Sequence, residues 1–163
     1  MRFKRAGVCV EKHDMEVVQG YVSTANRIDT ERDGLTALVV DDDRHVRSYL
    51  RMLLRGLRVT TVAEAGDIGE GLGYYQKLRP SIVLLDVDLP GFSVAEAMQQ
   101  LRSMDPDVAV IAVTACTEAS FGDSLGKHSV LGWIPIYVVR EEVAQKISSA
   151  LDRLRTNAAI PTR

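Results

Sequence analysis

The chain is expected to fold as an α/β domain, a doubly wound, five-stranded parallel sheet with flanking helices. Three observations predict this. Short, continuously apolar runs such as "LTALVV", "SIVLLD" and "VAVIAVT" alternate with segments of helical spacing, and the alternation occurs five times. Runs that are apolar on both faces suit a parallel sheet covered on both sides by helices. Finally, polar residues follow three of these runs directly, as Asp41, Asp86 and Thr114. In open α/β sheets, ligands bind beyond the carboxyl ends of the strands.

The elements follow in order. Residues 1–35 are mixed and polar and close on "DTERDG". They are expected to form an N-terminal extension, flexible or partly helical, with "MEVVQGYV" as a short helix. Residues 36–155 are expected to form the domain, and residues 156–163 a C-terminal tail.

Within the domain, "LTALVV" opens the sheet, and "RHVRSYLRMLLRGL" sets Val46, Leu50, Leu53 and Leu54 at helical spacing. "RVTTVAEA" is rich in β-branched residues and reads as a strand. "GDIGEGLGYYQKL" reads as a helix despite its glycines. Pro80 then precedes the third strand, "SIVLLD". "SVAEAMQQLRSM" is helical and stops before "DPD", and "VAVIAVT" is the fourth strand. "EASFGDSLGKH" reads as a poor, Gly-interrupted helix or loop. "VLGWIPI" is the last strand, and "REEVAQKISSALDRLR" closes the fold as an amphipathic helix.

Composition excludes several classes. The 163 residues carry a net charge of −2, which is no electrostatic footprint for nucleic acid. No apolar run approaches the roughly 20 residues that span a bilayer. "MRFKR" is not followed by the apolar segment of a secretory signal. Cys9 and Cys116 fit no disulfide or zinc spacing, which suits a reducing, cytoplasmic location. His13, His45 and His128 lack metal-ligand spacing and read as surface residues.

The acids carry the functional argument. Adjacent strands would bring Asp41, Asp42 and Asp86 into one crevice, with Thr114 beside them. Two unit charges about 5 Å apart repel by roughly 3 kcal/mol at an effective dielectric near 20. Such a set invites a hard divalent cation such as Mg²⁺, which prefers oxygen donors. The same cation would orient a phosphoryl donor while Asp86 attacks phosphorus, and the Thr114 hydroxyl would hydrogen-bond the new phosphoryl oxygens. Asp43 reads instead as the start of a helix.

In this order and at these separations, "ALVVDDDRHVR", "PSIVLLDVDLPG", "VIAVTA" and "GWIPI" resemble the receiver domain of two-component response regulators, a flavodoxin-like fold. The resemblance covers about residues 36–155. It implies that Asp86 is the phosphoacceptor for a histidine kinase or phosphotransfer protein. It also implies that Asp41, Asp42 and Asp86, with the main-chain carbonyl of Asp88, bind Mg²⁺. Thr114 matches the hydroxyl residue that follows phosphorylation, and Trp133 the switch aromatic. A receiver of this kind is not an enzyme, and it acts as a homodimer or on a separate output protein. Nothing in the chain is expected to bind nucleic acid or membrane directly, since only "TNAAIPTR" follows Arg155.

One family feature is missing. The lysine near the end of the fifth strand maps to Ile136, and neither Pro135 nor Tyr137 restores it in a slipped register. Arg44 and Lys127 are the candidate replacements, and switching is expected to be atypical. Two rival readings follow. One is a phosphorylation-independent interaction module. The other is an Asp-x-Asp phosphatase, whose nucleophile would follow the domain's first strand, whereas two strand and helix pairs precede Asp86 here.

Overall fold

A computed structural model describes residues 34–115 and 130–158. Its strands are β1 (Thr36–Val40), β2 (Thr61–Ala65), β3 (Ile82–Asp86), β4 (Val110–Thr114) and β5 (Gly132–Pro135). Its helices are α1 (Arg44–Gly56), α2 (Ile68–Leu78), α3 (Val94–Met104) and α4 (Arg140–Ala158). The strands form one parallel sheet in the order β2-β1-β3-β4-β5. This is the doubly wound sheet that the alternation of apolar runs and helices predicts.

Side-chain alternation along each strand divides the core into two layers. Ala37, Val39, Ile82, Leu84, Ile111 and Val113 pack with Leu50 and Leu54 of α1 and with Val143, Ile147 and Leu151 of α4. Leu38, Val40, Val83 and Leu85 face the other way, against Tyr75 of α2 and Met98 and Leu101 of α3. Every residue of β3 is buried. Continuing this alternation by one step puts Asp41 and Asp86 on the side of α1.

Local chemistry fixes the helix starts. Asp43 caps α1 by accepting from the His45 N–H at 2.8 Å, and Asp67 caps α2 by accepting from the Glu70 N–H at 2.8 Å. Ser93 and Glu96 form a reciprocal capping box at the start of α3. Such caps satisfy N–H groups that have no partner inside the helix.

Three predicted boundaries shift, each for a physical reason. "RVTTVAEA" does not pair along its whole length, because Arg58 adopts a left-handed φ of 65° and the Val59 N–H turns back to the Leu54 carbonyl. Val59 is then buried as a plug beside α1 rather than as a strand residue. The last strand is confined to Gly132–Pro135, where Pro135 is tolerated because β5 is an edge strand of the described sheet. The last helix passes the expected end at Arg155 and reaches Ala158, because no Gly or Pro interrupts it there. The predicted "MEVVQGYV" helix and the "EASFGDSLGKH" segment lie outside the described residues.

Candidate functional site

The order of the strands reverses on the two sides of β1, because the chain runs from β1 to β2 on one side and then crosses to β3 on the other. A crevice at the carboxyl ends of β1 and β3 follows from this reversal. Val40 lies opposite Leu85, and Asp86 lies opposite Val113. The residues one step further, Asp41 and Thr114, therefore flank Asp86 on its two sides.

All three are buried: Asp41 is 2 % exposed, Asp86 3 % and Thr114 2 %. Carboxylate oxygens of Asp41, Asp42 and Asp86 all lie within 4.8 Å of one another. The expected convergence of these acids is therefore present, with Asp42 as the exposed member. Backbone groups hold the carboxylates in place. The Asp43 N–H donates to Asp41 Oδ1 at 2.8 Å, and the Asp88 N–H donates to Asp86 Oδ1 at 2.9 Å. The Asp41 N–H itself extends the ladder to the Ala65 carbonyl at 3.1 Å.

Three carboxylates this close repel one another by a few kcal/mol per pair at an effective dielectric of about 20. An all-oxygen donor set of this charge fits a hard divalent cation such as Mg²⁺. Asp41, Asp42 and Asp86 are the side chains able to hold it.

A small pocket of about 30 Å³ opens between Asp41, Asp86 and Thr114 and is walled by Ile136, Tyr137 and His45. Ile136 reaches this wall because its N–H donates to the Thr114 carbonyl at 2.9 Å. The expected lysine position thus borders the acids but carries an aliphatic side chain. His45, read from the sequence as a surface residue, is exposed and also lines the pocket. Its position one residue into α1 was the available signal.

Other expected site residues lie apart. Trp133 does not line this pocket. It sits opposite Ala112 of β4, half-buried beside α4, with Lys146 Nζ 4.6 Å from its ring centroid. The Asp88 side chain turns toward the neighbouring loop and accepts from the Ala115 N–H at 3.3 Å. Arg44 is exposed at the start of α1 and does not line the pocket, and Lys127 lies outside the described residues.

A different basic residue grips the acidic turn. Arg47 Nη1 donates to the Asp41 carbonyl at 2.7 Å and to the Asp42 carbonyl at 3.2 Å. Its Nε lies 3.7 Å from Glu64 Oε2 on β2, and Arg51 Nη1 lies 2.9 Å from Glu64 Oε1. The sequence offered one hint, a glutamate inside the β-branched run "RVTTVAEA".

Comparison with known proteins agrees with this architecture. The family model described as "Response regulator receiver domain" matches residues 37–135. Response regulator GacA of Pseudomonas protegens is 35 % identical over 116 residues, covering 69 % of this chain and 54 % of that protein. Chemotaxis protein CheY of Listeria monocytogenes is 32 % identical over 81 residues, covering 50 % of this chain and 68 % of that protein. A CheY-like receiver domain from Methanospirillum hungatei superposes with a TM-score of 0.67 at 22 % identity, covering 77 % of this chain and 99 % of that one. The chain spans about half the length of the GacA proteins it matches. No helix among the described residues is long and apolar enough to cross a membrane. With strand order, register and family match in agreement, the chain belongs to the response regulator receiver domains of two-component systems.

Proposed function

We propose that this receiver accepts a phosphoryl group on Asp86 from a histidine kinase or phosphotransfer protein, with Mg²⁺ held by Asp41, Asp42, Asp86 and the Asp88 carbonyl. The observation that carries the reading is the buried Asp86 carboxylate within 4.8 Å of the Asp41 and Asp42 oxygens, beside the Thr114 side chain. The Asp86 carboxylate attacks the phosphorus of a phosphohistidine. A P–O bond forms, the P–N bond breaks, and the departing imidazole keeps the electron pair and takes up a proton. Bound Mg²⁺ supplies neutralisation of the phosphoryl oxygens and of the acids around them. The Asp88 N–H fixes the plane of the attacking carboxylate. The Thr114 hydroxyl donates to a phosphoryl oxygen.

Ile136 provides neither charge nor hydrogen bond to that group. Phosphorylation is therefore coupled weakly to the rearrangement of Thr114 and Trp133. The same aliphatic wall, with Tyr137 beside it, favours a second reading, in which the domain binds its partner without phosphorylation. Under either reading the domain works in the cytoplasm, as a homodimer or on a separate output protein.

The test is incubation with a small phosphodonor and Mg²⁺, followed by mass spectrometry. A mass increase that Asp86→Asn abolishes is expected. No increase at saturating donor leaves the phosphorylation-independent reading. Trp133 is the single tryptophan, so its fluorescence during titration with Mg²⁺ and beryllofluoride, a phosphoryl mimic, reports whether the site reaches β5.

A further inference from the structure

We infer that Arg47 is the positioning residue of the metal site, holding Asp41 and Asp42 in register through their main-chain carbonyls. This rests on the reading of those acids as Mg²⁺ ligands.

The acidic turn leaves β1 at Val40 and enters α1 at Arg44. Backbone N–H donors help to shape it, among them the Asp41 N–H to the Ala65 carbonyl and the Asp43 N–H to Asp41 Oδ1. These bonds engage the Asp41 N–H and carboxylate rather than the carbonyls. Arg47 binds both, from one turn into α1, at 2.7 and 3.2 Å. The two peptide units that carry the ligand side chains are thereby tied to one rigid group.

That group is itself anchored. The Arg47 side chain is only 20 % exposed, and its Nε faces Glu64, the penultimate residue of β2. Glu64 lies opposite Val39 in the β1–β2 ladder, so the anchor stands on the sheet rather than on a loop. Arg51, one turn further along α1, holds the other Glu64 oxygen at 2.9 Å. The chain of contacts thus runs from Arg51 through Glu64 and Arg47 to the backbone of the two acids.

Only a guanidinium serves all these acceptors at once. Its planar fork presents five N–H donors in fixed directions, whereas an ammonium on a flexible stem is a point charge. Charge-assisted bonds to the carbonyls also bring a permanent positive charge to the back of a turn that carries three consecutive aspartates. Groups that orient metal ligands without touching the metal commonly control affinity by about 10- to 100-fold.

Isothermal titration with Mg²⁺, paired with metal-free thermal melts, tests the assignment on the whole chain. Arg47→Ala is expected to weaken Mg²⁺ binding about 10- to 100-fold. Arg47→Lys is expected to recover part of that loss, and Glu64→Gln to show a smaller one. Tyr75→Phe, at the opposite end of the sheet, is the control for stability. It is expected to melt at lower temperature with Mg²⁺ affinity unchanged.

Wild-type affinity in folded Arg47→Ala overturns the inference, as does an equal loss in Tyr75→Phe. Should Arg47→Ala fail to fold, Arg47→Lys and Glu64→Gln carry the test, and unchanged affinity in both overturns it. Absence of Mg²⁺ binding by the wild type removes the ligand reading itself, and the role of Arg47 with it, before any variant is compared.

Discussion

The Ile136 N–H donates to the Thr114 carbonyl at 2.9 Å, fixing an aliphatic side chain on the wall of a pocket that Asp41 and Asp86 also line. A lysine at this point would place an ammonium near two buried carboxylates. At about 5 Å and an effective dielectric near 20 that attraction is roughly 3 kcal/mol, before desolvation reduces it. Ile136→Lys should therefore change two affinities in opposite directions. Mg²⁺ alone should bind more weakly, because the ammonium competes for the acids. Beryllofluoride in the presence of Mg²⁺ should bind at least about tenfold more tightly, because an anion then has a cationic partner. Some stability is expected to be lost, about 1–2 kcal/mol, because Ile136 packs partly against the α1 and α4 core layer. Parallel fluorescence titrations of Trp133 separate the two effects.

Mutual repulsion among Asp41, Asp42 and Asp86 makes a second prediction, on stability. Mg²⁺ at 100 times its dissociation constant should stabilise the fold by about 2.7 kcal/mol. For a domain of this size that raises the melting temperature by roughly 5–10 °C. A chelator should reverse the shift. Asp86→Asn keeps the oxygen that accepts from the Asp88 N–H but removes one charge from the cluster. This variant should melt higher than the wild type without Mg²⁺ and respond little when the ion is added. Differential scanning calorimetry with and without Mg²⁺ reads both effects. An Asp86→Asn protein that keeps the full Mg²⁺ shift would show that the ion binds elsewhere.

The fold was legible because the three central strands β1, β3 and β4 are short apolar runs, and burial of such runs on both faces suits a parallel sheet covered by helices. Asp41, Asp86 and Thr114 were legible for a related reason. A polar residue directly after an apolar run marks a strand end, and β-register then brings the ends together. Arg47 and Glu64 were not legible, because nothing in their spacing reveals that an arginine one turn into a helix folds back onto the preceding loop. The turn at Arg58 was hidden in a β-branched run, since Val59 looks the same as a strand residue and as a core plug. Trp133 was placed on the right strand, but its ring lies beside Lys146 and away from the acidic pocket.

The glycines of α2 divide sharply. A Cβ at Gly71 would lie 2.9 Å from Val40 Cγ2 and 3.1 Å from Val40 Cγ1, where α2 presses on β1. At Gly73 nothing stands within 4 Å. Gly→Ala in a helix interior gains up to about 1 kcal/mol from backbone entropy alone. Gly73→Ala should therefore stabilise the domain by about 0.5–1 kcal/mol. Gly71→Ala should destabilise it, because overpacking a filled core costs about 1–3 kcal/mol and outweighs the helical gain. Urea unfolding of the two variants, with unchanged slopes, would show opposite signs. Because Val40 immediately precedes Asp41, Gly71→Ala is also expected to weaken Mg²⁺ binding.

Alkaline pH gives a test remote from the acids. Tyr75 is a buried residue of α2, and its hydroxyl donates to Asp105 Oδ2 at 2.8 Å, while Arg79 lies over its ring. Burial pushes the Tyr75 hydroxyl well above its ordinary pKa, and the bond to Asp105 and that residue's charge push it further. A group whose pKa is raised by folding stabilises the native state fully below its unfolded pKa, about 10 for tyrosine, and that contribution declines above it. The unfolded chain releases the proton first, so stability should fall as pH rises past about 10, by up to roughly 1.4 kcal/mol per pH unit from this group. Tyr75→Phe should cost about 1 kcal/mol at neutral pH, through the lost hydrogen bond, and should remove this part of the slope. Urea unfolding of both proteins at pH 8, 10 and 11 makes the comparison, with ionisations common to both cancelling in the difference. A difference that stays constant across that range would mean that Tyr75 ionises in the folded protein as readily as in the unfolded one.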